Sequence, residues 1–247
     1  MGILKTLKRK IIMSKFFFSK DLSLSNQNIL ITGANSGIGL DLVKKLNNQN
    51  NILAFVNLND DNIEKIKNGK IKVAACNFSN VNSIADHKRT ITDFNPSIII
   101  NCAGSFGPSK QNYEDINVDE YNSILNINVF SPFLIIQEAL KSASAIKLIV
   151  NITSKMGSIT LNTEGDYYYY RTSKAFLNAI TKNLALDLKK KNINILCIHP
   201  GSVKTKMNPG GDLQAGFVAQ KIINICSENN LNFSGRFIDL NKNTLKW

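Results

Sequence analysis

Apolar residues along the chain gather into short continuous runs separated by longer polar or amphipathic stretches. The first run, Asn28 to Ile31, reads as a buried strand that enters a glycine turn. Beyond the turn Leu40, Val43 and Leu46 recur at helical spacing, with Asp41, Lys44 and Lys45 on other faces. The runs 52–56, 71–75, 98–100, 147–150 and 193–198 are compact and rich in β-branched residues, as strands buried on both faces are. Residues 236–240 read as a last edge strand. Polar stretches of helical length between the runs predict crossover connections, hence a doubly wound α/β domain with helices on both sides of a mostly parallel sheet. In such a domain a ligand sits outside the carboxyl ends of the strands. Gly33, Asn101, Gly104, Ser154, Pro200 and Gly201 all fall at those ends.

The segment Thr32-Gly33-Ala34-Asn35-Ser36-Gly37-Ile38-Gly39 occupies a strand-to-helix junction. Glycine there permits a tight turn and lets the backbone approach a pyrophosphate, whose charge is favoured by the amides and dipole of the helix N-terminus. Taken alone, the same segment also fits a plain structural turn. Further along, Tyr170 and Lys174 lie four residues apart and share one face of a helix. A nearby ammonium stabilises a phenolate, so this pairing predicts a Tyr170 pKa below the ordinary value of about 10. Such a tyrosine exchanges a proton with a carbonyl or alcohol oxygen, and Ser154 could hydrogen-bond the same atom. For an isolated match the alternative is a surface tyrosine beside a solvated lysine.

Taken together, these residues resemble the short-chain dehydrogenase/reductase family, over roughly residues 28 to 240. The resemblance implies a single Rossmann-type domain and a nicotinamide-dependent interconversion of a carbonyl and an alcohol. It implies catalytic roles for Asn128, which holds a water in the family's proton relay, for Ser154, for Tyr170 as acid/base, and for Lys174. It assigns cofactor contacts to Gly33, Asn35, Ser36, Gly37, Ile38 and Gly39 of the turn and to Asn57, Asn77 and Phe78. Asn101, Ala103 and Gly104 after the fourth strand, Tyr170 and Lys174, and Pro200, Gly201, Val203 and Thr205 complete that set. A closer subgroup, the C-factor and sniffer-type carbonyl reductases, is resembled by Met156-Gly157-Ser158-Ile159, by Tyr170-Arg171, by His199-Pro200-Gly201 and by Ser234-Gly235-Arg236-Phe237. Some members of that subgroup act in signalling, so a dinucleotide-binding regulatory protein with incidental turnover is the alternative reading.

Some positions depart from the family pattern. The common serine-to-tyrosine spacing selects Tyr167, whereas the subgroup spacing and the step to Lys174 select Tyr170; Tyr167, Tyr168 and Tyr169 then read as loop or pocket-wall aromatics. Asn77 stands where an aspartate usually accepts a bond from the adenine, a bond its amide carbonyl could also accept. After the second strand come Val56, Asn57 and Leu58, with no acid before Asp60 and no arginine. The lack of an acid to repel a 2′-phosphate, with the subgroup resemblance, favours NADP(H) over NAD(H). The passage from Thr205 through Gly211 is too short for a long lid, which predicts an open site and loose specificity, with Tyr167, Tyr168 and Met156 as pocket walls.

Composition changes this picture little. The 247 residues, 43% hydrophobic, fill one domain. Cys76, Cys102, Cys197 and Cys226 lack disulfide or metal-ligand spacing and read as reduced packing residues in a cytoplasmic compartment, and no metal site is expected. The net charge of +12 is half accounted for by Lys5, Lys8, Arg9, Lys10, Lys15 and Lys20, all before Asp21. That places residues 1–27 apart as a basic leader, disordered or amphipathic, ahead of a domain spanning 28–247. The leader fits a tail, a peripheral membrane contact or an organellar signal, and Met13 is an alternative start. The apolar stretches look too short and interrupted to span a bilayer. No nucleic-acid module is recognised. By resemblance the partners are a small carbonyl or alcohol substrate and further copies of the chain, in a homodimer or homotetramer. Helices near 118–141 and 170–189 would supply Phe133, Ile136, Leu140, Phe176, Leu177 and Ile180 to that contact.

Overall fold

The computed structural model describes residues 24–57, 62–66, 68–142, 145–228 and 233–247. The leader up to residue 23, Met13 included, and the positions of Leu58 and Asp60 lie outside the described residues. In chain order the elements are β1 (Asn28–Thr32), α1 (Gly37–Leu46), β2 (Asn51–Val56), β3 (Ile71–Ala75), α2 (Asn82–Asp86), α3 (Lys88–Phe94) and β4 (Ile98–Asn101). There follow α4 (Val118–Leu125), α5 (Ser131–Ser142), β5 (Leu148–Ile152), α6 (Tyr168–Asp187), β6 (Asn194–Ile198), β7 (Val203–Lys204), β8 (Leu213–Gln214), α7 (Ala215–Ser227) and β9 (Phe237–Ile238).

Seven strands form one sheet in the order β3-β2-β1-β4-β5-β6-β9, and every pairing is parallel. Alternation along β1 explains why its apolar run is unbroken. Ile29 and Ile31 face a layer that includes Leu42 and Val43 of α1 and Val218 and Ile222 of α7. Leu30 faces the opposite layer, with Ile91 of α3, Ile135 and Ala139 of α5, and Leu188 just past α6. Both faces are dry, so hydrophobic side chains are favoured at successive positions. The edge strand shrinks to Phe237–Ile238, because Asp239 turns away to bond Asn241 and Asn243. Chain order reverses between β1 and β4, which opens a crevice at their carboxyl ends.

Two expectations are corrected at α4 and α5. The continuous helical stretch Val118–Lys141 is long and apolar enough to cross a membrane by length and composition, with a mean hydropathy of 1.3 over its most apolar window. Half of that window is buried within the protein, where Val129, Ile135, Ile136 and Ala139 serve the core, so it is a core helix. Of the six side chains expected at a contact between copies, Ile136 and Leu177 are likewise spent inside this chain. Between the two helices, Asn126–Phe130 adopts a π turn centred on Asn128.

Candidate active site

The crevice widens into a cavity of about 1010 Å³, comparable with pockets that take drug-sized or larger ligands. Its floor begins at the glycine turn. Gly33 has φ of 66°, and a Cβ there would lie 2.9 Å from Cα of Ala103, so β1 and the β4 loop meet only through glycine. Thr32 Oγ1 joins the same two segments by accepting the amides of Cys102 and Ala103, each at 3.0 Å. At Gly39 a Cβ would fall 2.2 Å from the carbonyl oxygen of Gly33, which presses α1 against the turn. Ser36, the N-cap of α1, makes no side-chain capping bond, so the first-turn amides are open toward the crevice. These features fit a dinucleotide: a floor stripped of side chains, an uncapped helix end for a pyrophosphate, and a cavity of matching size.

Most residues assigned to the cofactor line this cavity: Gly33, Asn35, Ser36, Gly37, Ile38, Asn57, Asn77, Phe78, Ala103, Gly104, Pro200, Gly201, Val203 and Thr205. Thr205 closes the loop after β6 onto the turn, its Cγ2 3.1 Å from where a Gly37 Cβ would stand. Gly39 and Asn101 are not at the cavity wall. Gly39 acts through packing, and Asn101 donates to Asn151 Oδ1 at 2.8 Å across β4 and β5. Asn77 differs from expectation, since its carbonyl already accepts the Ser79 amide at 3.1 Å and the Ser79 hydroxyl at 2.7 Å. The adenine bond expected of that oxygen therefore competes with a local turn.

Ser154, Tyr170 and Lys174 line one end of the cavity. Ser154 follows β5 after Thr153, while Tyr170 and Lys174 project from the first turns of α6. The ammonium of Lys174 is buried, donates to the Ile152 carbonyl at 3.2 Å and lies 5.7 Å from the Tyr170 ring centroid. Asn128 stands one layer behind. Its carbonyl accepts the Ser105 amide at 2.8 Å, and its amide donates to Ser105 O at 2.8 Å and to Ser173 Oγ at 2.9 Å. A Cβ on Gly104 would touch both Asn128 Oδ1, at 3.4 Å, and Lys174 Nζ, at 3.5 Å. The π turn therefore brings Asn128 next to the lysine without exposing it to the cavity.

The electrostatics correct one expectation. Burial pushes the Tyr170 phenol above its ordinary value, and the hydrogen bond with the Ser154 side chain only partly opposes that rise. Lys174 is itself pushed down to about 8, chiefly by burial, with Cys102 and Cys197 opposing the shift. Desolvation disfavours the charged form of both partners, so it outweighs the stabilising effect expected of the ammonium. The phenol is accordingly held in its neutral form. His199 is held down to about 4, first by burial and then by Lys155, and its Nδ1 accepts the Lys155 amide at 3.2 Å.

The tyrosine run divides by role. Tyr167 and Met156 line the cavity, and Tyr168 is exposed outside it. Tyr169 is neither loop nor pocket wall: it is fully buried, stacks on Tyr121 at 5.2 Å and holds the loop before α4 through Asp115 and Asn117. Sequence reasoning missed Gln111. Its Nε2 donates to the carbonyls of Phe106 and Pro108, each at 2.8 Å, while its Oε1 accepts the Tyr170 amide at 3.0 Å and its main-chain carbonyl accepts the Tyr168 amide at 3.0 Å. Gln111 thus caps a helix whose own N-cap, Tyr167, supplies no bond, and it steadies Phe106, whose ring lies 4.8 Å from that of Tyr170. No local pattern marks it, because its partners are distant in sequence. The C-terminal residues were missed for the same reason. Carbonyls of Lys246 and Trp247 accept bonds from Ser158 and Thr160 and fasten the loop after Ser154.

Comparison with known proteins agrees with this fold. Residues 27–213 match the family model described as short chain dehydrogenase. An uncharacterized oxidoreductase of Staphylococcus epidermidis is 29% identical over 192 residues, covering 74% of this chain and 80% of that protein. C-signal of Myxococcus xanthus is 29% identical over 136 residues, covering 54% of this chain and 82% of that protein. The structure of the carbonyl reductase Sniffer of D. melanogaster superposes with a TM-score of 0.79 at 27% identity, covering 90% of this chain and all of that one.

Proposed function

Because the chain belongs to the short-chain dehydrogenase family, we propose that it is an NAD(P)(H)-dependent oxidoreductase that interconverts a carbonyl and an alcohol. The observation that carries this reading is the convergence of Ser154, Tyr170 and Lys174 at one end of a cavity whose other end is the glycine turn. When bound, the dinucleotide supplies the hydride for reduction or accepts it in the reverse direction. Tyr170 gives its phenolic proton to the substrate oxygen as that oxygen gains charge, and Ser154 holds the same oxygen by hydrogen bonding. The raised pKa of the phenol keeps this proton in place at neutral pH, which suits the reductive direction. Lys174 restores the proton and holds the tyrosine, and Asn128 positions the lysine side of the site through Ser105 and Ser173. The exposed, uncharged Asn57 at the end of β2 supports NADP(H) as the preferred form. The exposed pair of Phe130 and Phe176, 5.9 Å apart on the faces of the π turn and α6, supports association of two copies there.

The test is oxidation of NADPH and, separately, NADH by aldehydes, ketones and quinones, with wild type and Tyr170→Phe. The expected result is turnover that falls by about 10² to 10⁴-fold in the variant, while cofactor binding followed by fluorescence is retained. Cofactor binding with no turnover of any carbonyl would favour the regulatory reading that the similarity to C-signal supports.

A further inference from the structure

Arg171 follows Tyr170 on α6 and lines the same cavity, yet it has little to bind. Its side chain is only 13% exposed. Among the described residues its one charged partner is Glu164, whose Oε2 lies 3.6 Å from Nη2, beyond good hydrogen-bonding distance, and whose own side chain is 82% exposed. The Nε of Arg171 is buried with no hydrogen-bond partner. A guanidinium presents its donors in a rigid fork, and a desolvated one is costly unless an anion engages that fork. One long contact to a solvated carboxylate leaves the buried Nε unmet. Glu164 also immediately precedes a left-handed stretch, with Gly165 at φ of 71°, Asp166 at 56° and Tyr167 at 52°. Two non-glycine residues in that region are held there at a cost.

From this arrangement, we infer that the substrate is an aldehyde or ketone bearing a carboxylate, that Arg171 binds the carboxylate as a bidentate pair, and that this contact delivers the carbonyl to Tyr170 and Ser154. The inference rests on the reading of the site as a carbonyl reductase. It adds a charged recognition point to the pocket: the short passage after Thr205 contributes Lys206, Met207 and Asn208 to the lining, and specificity comes from the Arg171 fork rather than from a long lid. Glu164 occupies the fork in the absence of substrate and yields to it, because a fully engaged planar pair is stronger than the long one it replaces.

The test uses matched pairs: succinate semialdehyde, meta-carboxybenzaldehyde and para-carboxybenzaldehyde, each against its methyl ester. Wild type is expected to favour at least one acid over its ester by about tenfold or more in KM. Arg171→Met should erase that ratio, Arg171→Lys should keep part of it, and Glu164→Gln should lower KM for the acid while leaving the ester unchanged. Equal use of acids and esters by wild type overturns the proposal, as does an acid preference that survives Arg171→Met. Should Arg171→Met fail to fold, the lysine and Glu164→Gln variants carry the same comparison. Calorimetric binding of benzoate against benzamide to the cofactor complex separates the two readings. Arg171-dependent benzoate binding without turnover would retain the carboxylate site and overturn the reductase. Turnover of neutral carbonyls with no benzoate binding would do the reverse.

Discussion

Replacing Lys174 by methionine separates what this side chain costs in stability from what it does in the site. Burial lowers its pKa from 10.5 to about 8. The unfolded chain therefore binds more protons than the folded one between those values, so the lysine contribution to stability rises with pH through that window. The penalty is greatest below the folded pKa. A shift of this size is worth about 3 kcal/mol at about pH 7 and about 2 kcal/mol at about pH 9. Methionine carries no such penalty. It does forfeit the bond to the Ile152 carbonyl, an offset of about 1 kcal/mol that is the same at every pH. Cys226 and Tyr170, raised by burial, lose stability at alkaline pH in wild type and variant alike and largely cancel in the comparison, whereas Cys102 and Cys197, which Lys174 holds down, rise further without it and add to the variant's alkaline loss. Urea unfolding of the cofactor-free proteins at several pH values between about 7 and about 9 measures the difference. The variant is expected to be the more stable protein near neutrality, inactive, and to lose its advantage steadily as pH rises. A stability gap that stays constant or widens with pH would refute the reasoning, whatever its size.

Other predictions follow from packing. Gly39→Ala sets a Cβ against the Gly33 carbonyl at 2.2 Å, so α1 must move off the turn; a loss of several kcal/mol (~3) in stability should accompany loss of cofactor binding in fluorescence titration. Tyr169→Phe removes the hydroxyl that serves Asn117 and Asp115 and should cost about 1–3 kcal/mol in unfolding experiments while leaving kcat within a few-fold. Phe176→Glu places a charge on the exposed aromatic pair with Phe130; sedimentation should show a dimeric wild type and a monomeric variant, and a monomeric wild type would sink the contact.

The sheet could be read from the chain because its strands are dry on both faces, which leaves continuous runs such as Ile29-Leu30-Ile31 that few other structures require. The glycine turn and the shared face of Tyr170 and Lys174 were legible for a related reason, since their spacing is local in sequence. Other features were not. Tyr169 could not be told from its neighbours, because one residue of rotation on α6 separates a core position from a cavity wall. Gln111 serves partners on two sides whose approach exists only in the fold. The direction of the Tyr170 shift depends on how completely the phenol is buried, and spacing carries charge proximity without carrying solvation. The short edge strand was overestimated because Asp239 looks like strand sequence until its carboxylate is seen closing a turn.

The π turn at Asn126–Phe130 has a consequence for the length of the chain. A π turn accommodates one residue more than an α turn would over the same rise. Both flanking helices already direct apolar residues at the core, Ile124 before the turn and Ile135 and Ile136 after it. The extra residue is therefore surplus to packing, and its removal would let α4 and α5 join as one regular helix with the buried faces retained. What such a deletion would displace is Asn128, together with its bonds to Ser105 and Ser173. A chain shortened by one residue here is expected to keep its shape and to lose the placement of Asn128 beside Lys174.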